Sequence, residues 1–125
     1  MTVPLPAGPI EVQVPAGGRH LPGQLMLPPG AAGLVVFAHG SGSSRFSARN
    51  QAVAATLQQG SLATLLFDLL SAEEERIDRR DRSLRFDIPL LAERVVAAID
   101  WARQESALAA LPIGLFGAST GAAAA

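Results

Sequence analysis

Apolar and polar residues alternate from Ile10 to Pro15 (IEVQVP), the period of a strand with one buried face. A similar stretch, GRHLPGQLMLP, follows Gly17-Gly18 and predicts a hairpin partner interrupted at Pro22-Gly23. GLVVFAHG is a continuous apolar run closed by glycine, as in a strand buried on both faces. The next stretch, SSRFSARNQAVAATLQQG, turns helical: Phe46, Val53 and Leu57 share one face, and Gly60 stands where a helix C-cap favours glycine. LATLLFDLL reads as another buried strand. SAEEERIDRRDRSLRFD, charged with both signs, predicts a solvated connection with a short exposed helix. Asp87 can cap a helix with Pro89 in its first turn, and Ile88, Leu91, Val95, Ala98 and Ala102 recur at helical spacing. Pro112 opens a last buried strand, PIGLFG, before a small-residue helix start. A hairpin followed by βα units predicts an α/β fold: an antiparallel pair, then a parallel sheet with right-handed crossovers and helices on both faces.

Composition narrows the chemistry. The 125 residues make at most one domain, and 49% apolar with 17% charged residues suits a packed core. A net charge of −1 gives no electrostatic case for nucleic acid or anionic membrane. No apolar run is long enough to span a bilayer, and MTVPLPAGPI lacks the features of a secretory signal, so a cytoplasmic location is expected. The absence of cysteine removes disulfides, thiolate catalysis and Cys-based zinc sites. All ten basic residues are arginine, so the chain has no lysine for a P-loop or a Schiff base. The two histidines, His20 and His39, lie in different segments, and neither a metal nor another cofactor is expected. Hydroxyl or carboxylate chemistry remains, or no chemistry.

Gly117-Ala118-Ser119-Thr120-Gly121 fits G-x-S-x-G between a strand and a helix start. A serine there sits on a strained turn, and glycines two residues to either side avoid collision with it. The turn lifts the hydroxyl clear of the sheet and aims the Thr120 N–H at a developing oxyanion. The earlier loop, His39-Gly40-Ser41-Gly42-Ser43-Ser44, also follows a buried strand and precedes a helix. Acyl transfer needs a second backbone donor from such a loop, and Ser41 N–H is the candidate, with Gly40 and Gly42 allowing close approach. The alternatives are ordinary: a capping serine in a glycine-alanine turn, and a glycine-serine loop with a helix cap at Ser43 or Ser44. His39, Asp68 and Ser119 follow the order of chymotrypsin-like triads, but those proteases are all-β. His39 therefore reads as a loop organiser beside the site, and Asp68 as a structural carboxylate at a strand end. His20, Asp100 and Glu73-Glu74-Glu75 read as solvated, and Trp101 as packed.

The stretches VVFAHGSGSSRFSARN, ATLLFDLL and LPIGLFGASTGAAAA together resemble the N-terminal half of an α/β-hydrolase, in the dienelactone-hydrolase-like branch. Dienelactone hydrolases carry a cysteine nucleophile at the elbow, where this chain has Ser119. The resemblance therefore implies hydrolysis of an ester, thioester or lactone, a small-molecule acyl substrate, through an acyl-enzyme. Ser119 would attack, and Ser41 and Thr120 would hold the oxyanion. His39, Gly40, Gly42, Gly117 and Gly121 would shape the site. It also implies a triad acid and then a histidine after Gly121, where only alanines stand. The expectation is that residues 1–125 are the N-terminal part of a single domain, a truncated sheet ending at the nucleophile elbow and inactive alone. Two other readings stay open. A non-catalytic relative could bind a ligand in the same pocket. A dinucleotide-binding turn could use Gly114, Gly117 and Gly121, although their spacing departs from G-x-G-x-x-G.

Overall fold

Residues 9–38, 47–81, 84 and 87–117 are described in a computed structural model of the chain. The elements in order are β1 (Ile10–Ala16), β2 (Arg19–Met26), β3 (Leu34–Ala38), α1 (Ala48–Gln59), β4 (Ala63–Phe67), α2 (Ala72–Asp81), α3 (Ile88–Gln104) and β5 (Ile113–Gly117). They form a five-stranded sheet in the order β1-β2-β4-β3-β5. β3 pairs in parallel with β4 and β5, while β2 joins antiparallel to both β1 and β4. This is the expected α/β sheet with an antiparallel hairpin.

Alternation along the strands distributes side chains to two layers. Leu34, Val36 and Ala38 of β3, with Leu65 and Phe67 of β4, pack among Leu91, Val95, Ala98 and Ala102 of α3. Phe37 and Leu66 point the other way, onto Val53, Ala54 and Leu57 of α1. Each large side chain buried this way contributes about 1.5–3 kcal/mol. Thr64, fully buried on β4, has its hydroxyl satisfied by Gln58 Nε2 at 2.8 Å. At the head of α3, Asp87 Oδ1 accepts the Leu90 N–H at 3.1 Å, the cap its sequence position predicts.

Three expectations are corrected. Pro22-Gly23 does not interrupt β2. Pro22 lies opposite Gln13 and its carbonyl accepts the Asp68 N–H at 3.0 Å, one rung beyond the Gly23–Phe67 pair that ends the β2–β4 ladder. Its missing N–H therefore removes only a terminal bond. A Cβ on Gly23 would lie 3.0 Å from Val12 Cγ2 and 3.2 Å from Phe67 Cβ, so the glycine admits a close approach of three strands. At the end of α1, Gly60 is the C-cap as expected (φ −88°), and the left-handed residue is Ser61 (φ 63°), one position on. Ser61 N–H donates to Gln58 O and Leu62 N–H to Leu57 O, a paired helix stop in which Gly60 still leaves in helical sense. β5, expected as a buried strand, is the edge of the described sheet, and none of its residues is fully buried. Leu115 is 41% exposed.

The third correction concerns the charged stretch. α2 is ten residues long, and Glu74 is buried, not solvated. Ser71 and Glu74 cap the helix reciprocally: Ser71 N–H donates to Glu74 Oε1 (2.9 Å), and Glu74 N–H donates to Ser71 Oγ (3.2 Å). Arg94 of α3, also buried, closes a two-pronged pair with the same carboxylate at 2.7 and 2.8 Å. Burial alone would raise the Glu74 pKa. The Arg94 hydrogen bond, the Ser71 N–H and the charges of Arg94 and Arg19 outweigh it and lower the value from 4.5 to about 2.

Two outcomes follow from this packing. Gly23→Ala should destabilise the fold by about 1–3 kcal/mol in urea denaturation, because the Phe67 Cβ, fixed to its strand, cannot swing aside. The folded-state pKa of Glu74 is the depressed one, so its contribution is complete above the unfolded value and is lost as pH falls through about 4 towards 2. The urea midpoint should decline over that window, and Glu74→Gln should flatten the decline.

Candidate active site

The three parallel strands all end on one edge of the sheet. Ala38, the last residue of β3, is the register partner of Gly117, the last residue of β5. Adjacent strands lie about 4.8 Å apart, so the chain enters residue 39 and residue 118 from neighbouring points on that edge. From β3 the chain runs through α1 on one face to β4. From β4 it returns through α2 and α3, with α3 on the other face, to reach β5 beyond β3. Open α/β sheets keep their sites outside this carboxyl edge, where connections diverge to opposite faces.

Of the site residues named from the sequence, Gly117 is described, as the end of β5. His39, Gly40, Ser41, Gly42, Ser119, Thr120 and Gly121 lie outside the described residues. What the fold supplies is the pair of strand ends from which both segments start. One residue before each end, Phe37 and Phe116 meet with ring centroids 5.0 Å apart at an interplanar angle of 38°. This contact ties β3 to β5 on the α1 face, directly below the candidate site.

Other polar residues sort as follows. Asp68 follows β4 on the same edge, half-buried, with its backbone N–H fixed to Pro22 O. His20 and Asp100 are exposed, and Trp101 packs against the α3-side core, all as expected. Ser71, Glu74 and Arg94 went unrecognised in the sequence as a group. Its one local signal was the S-x-x-E spacing of Ser71 and Glu74, embedded in a charged run. Among the described residues, no three His, Asp or Glu side chains converge as metal ligands, and no helix is long and apolar enough to cross a membrane.

No family model matches the chain. A dienelactone hydrolase from Anabaena variabilis superposes with a TM-score of 0.90 at 57% identity, over 94% of this chain and 55% of that one. The esterase Pf2001 of Pyrococcus furiosus (TM-score 0.74, 20% identity, 94% of this chain and 44% of that one) shares the fold. So does Est1E of Butyrivibrio proteoclasticus (0.71, 19%, 89% and 41%). Two curated proteins, from Mycobacterium tuberculosis strains H37Rv and CDC 1551, are each 53% identical over 115 residues, 92% of this chain. Their name is "Putative phosphoribosyl transferase". The chain spans a quarter of the length of these curated relatives and about half of the dienelactone hydrolase. The resemblance to α/β-hydrolases of the dienelactone-hydrolase-like branch is thus found in three dimensions as well as in the motifs.

Removing the aromatic contact tests how firmly the two strand ends are joined. Phe116→Ala should cost about 1–3 kcal/mol in urea denaturation, the half-buried ring plus its pairing with Phe37. Leu115→Ala, on the opposite and exposed side of β5, should change stability by no more than about 0.5 kcal/mol.

Proposed function

We propose that this chain, whose fold is that of the dienelactone-hydrolase-like α/β-hydrolases, is the N-terminal part of a serine hydrolase domain acting on ester, thioester or lactone bonds. The observation that carries this reading is the Ala38–Gly117 register. It starts the segment bearing Ser41 and the segment bearing Ser119 from adjacent strand ends, the spacing that a nucleophile and its oxyanion donors require. The 57% identity to a dienelactone hydrolase supports the same chemistry.

In the proposed reaction, Ser119 Oγ attacks the acyl carbonyl and gives up its proton to a histidine. The N–H groups of Ser41 and Thr120 hold the oxyanion, while Gly40, Gly42, Gly117 and Gly121 leave room for the substrate to approach. The alcohol or thiol departs with that proton, and water then attacks the acyl-enzyme to release the acid and restore the serine. The histidine and its orienting acid come from sequence following residue 125, in the part of the hydrolase fold that the match leaves uncovered. Residues 1–125 alone would therefore lack turnover.

A second reading comes from the curated relatives' name. Three quarters of each relative lies outside the match, so the phosphoribosyl transferase named there need not involve this segment. Binding of 5-phosphoribosyl diphosphate to residues 1–125, measured by calorimetry, would favour that reading over the hydrolase.

The decisive experiment begins with the native gene past codon 125, to find an Asp or Glu and then a His in frame, and continues with the protein it encodes. A fluorophosphonate should label Ser119, and Ser119→Ala should abolish labelling and lower kcat/KM for a p-nitrophenyl ester by roughly 10³-fold or more. A folded wild type that resists labelling would leave only a ligand-binding relative of the hydrolases.

A further inference from the structure

Four residues separate β4 from α2, and Leu69, Leu70 and Ser71 among them are buried. Buried loop backbone must find its hydrogen bonds inside the protein. Asp68 N–H donates to Pro22 O, and Ser71 O accepts from Glu75 N–H at 2.8 Å. The Leu69 carbonyl accepts from Arg94 Nη1 at 3.3 Å, and the Ser71 N–H donates to Glu74 Oε1. The last two are supplied by one ion pair, Glu74 with Arg94. Arg19 of β2 reaches the same carboxylate, Nε to Oε2 at 3.6 Å. Strand β2 and helices α2 and α3 therefore meet on a single side chain.

Stability is a weak reason for such a pair. Two charges removed from water forfeit much of what their attraction returns, and apolar replacements of similar volume are often as stable. The geometry gives a stronger reason. The planar guanidinium engages both carboxylate oxygens and one backbone carbonyl at once, so it fixes the direction of the segment as well as its depth. That segment leaves the carboxyl edge from β4, the strand next to β3. It is therefore the neighbour, at that edge, of the chain that enters residue 39.

We propose that the Glu74–Arg94 pair is a positioning device for the candidate active site, holding residues 68–71 as a rigid wall at the carboxyl edge, next to the end of β3 from which the chain continues to Ser41. Neither residue touches the substrate. Both act through the backbone of Leu69 and Ser71. The proposal rests on the serine-hydrolase reading of Ser119.

The test uses the protein encoded through the triad histidine, as wild type, Arg94→Lys, Glu74→Gln and the double variant Glu74→Leu with Arg94→Met. Urea midpoints, the fluorophosphonate labelling rate, and kcat and KM for a p-nitrophenyl ester are compared. The apolar double variant leaves the Leu69 carbonyl and the Ser71 N–H without these partners and should lower the urea midpoint. Assayed well below that midpoint, its kcat and labelling rate should fall tenfold or more with KM within about threefold, since small misplacements in a site are expensive in rate. Arg94→Lys, which keeps the charge and loses the fork, should fall between the two. A folded double variant that labels and turns over at the wild-type rate overturns the proposal. Should the double variant not fold, the single variants decide, measured well below their midpoints. A rate loss beyond the unfolded fraction supports positioning, and a rate that follows the folded fraction overturns it. A wild type that does not label overturns the hydrolase reading and this inference with it, whereas a labelled wild type with unaffected variants overturns the inference alone.

Discussion

A strand with parallel neighbours on both sides has two faces to bury, and β3 imposes that condition on everything around it. Its five residues alternate between two cores, Leu34, Val36 and Ala38 facing α3 while Val35 and Phe37 face α1. One helix cannot satisfy both. The connection to β4 must therefore cover one side and the return to β5 the other, which parts the two connections at the carboxyl edge. The opening for chemistry is a by-product of covering the strand.

Against that background the buried ion pair has a particular place. The return from β4 to β5 begins with a short, polar helix, α2, before the apolar α3. A helix with so few apolar residues cannot be held by hydrophobic burial. Its polar side chains set its direction instead: Glu74 caps the first turn and reaches across to Arg94, and the buried Asp78 accepts the Leu84 N–H. The acidic first turn and the basic last turn also suit the helix dipole, a smaller and salt-sensitive contribution.

Much of the fold was legible in the sequence because period and punctuation agreed. Asp87, Pro89 and the apolar spacing from Ile88 to Ala102 all specify the same helix, and the structure has it. The features that were not legible depend on partners distant in the chain. Pro22-Gly23 looks like a break until β4 arrives to pair only up to Gly23. Glu74 looks solvated until Arg94, twenty residues on, is folded over it. Leu115 belongs to an apolar run, yet its exposure depends on which strand β5 lies beside. For the candidate site, Gly117 and the convergence of strand ends are placed, while Ser119, Ser41 and Thr120 rest on their motifs and lie outside the described residues.

The β1–β2 hairpin carries a consequence for synthesis. Its own turn, two left-handed glycines, is local and can close as soon as it leaves the ribosome. Its apolar face is another matter. Val14, Leu21 and Leu25 are covered in the finished fold by a core that includes α3, and β2 has its second neighbour in β4. At about 5–20 residues per second, the chain between Met26 and Phe67 takes several seconds to appear, and α3 follows later still. Throughout that interval the hairpin presents a two-stranded apolar surface and an unpaired β2 edge to solvent or to a chaperone. The polar residues along its other face, Glu11, Gln13, His20 and Gln24, are then what keeps the nascent segment apart from its neighbours.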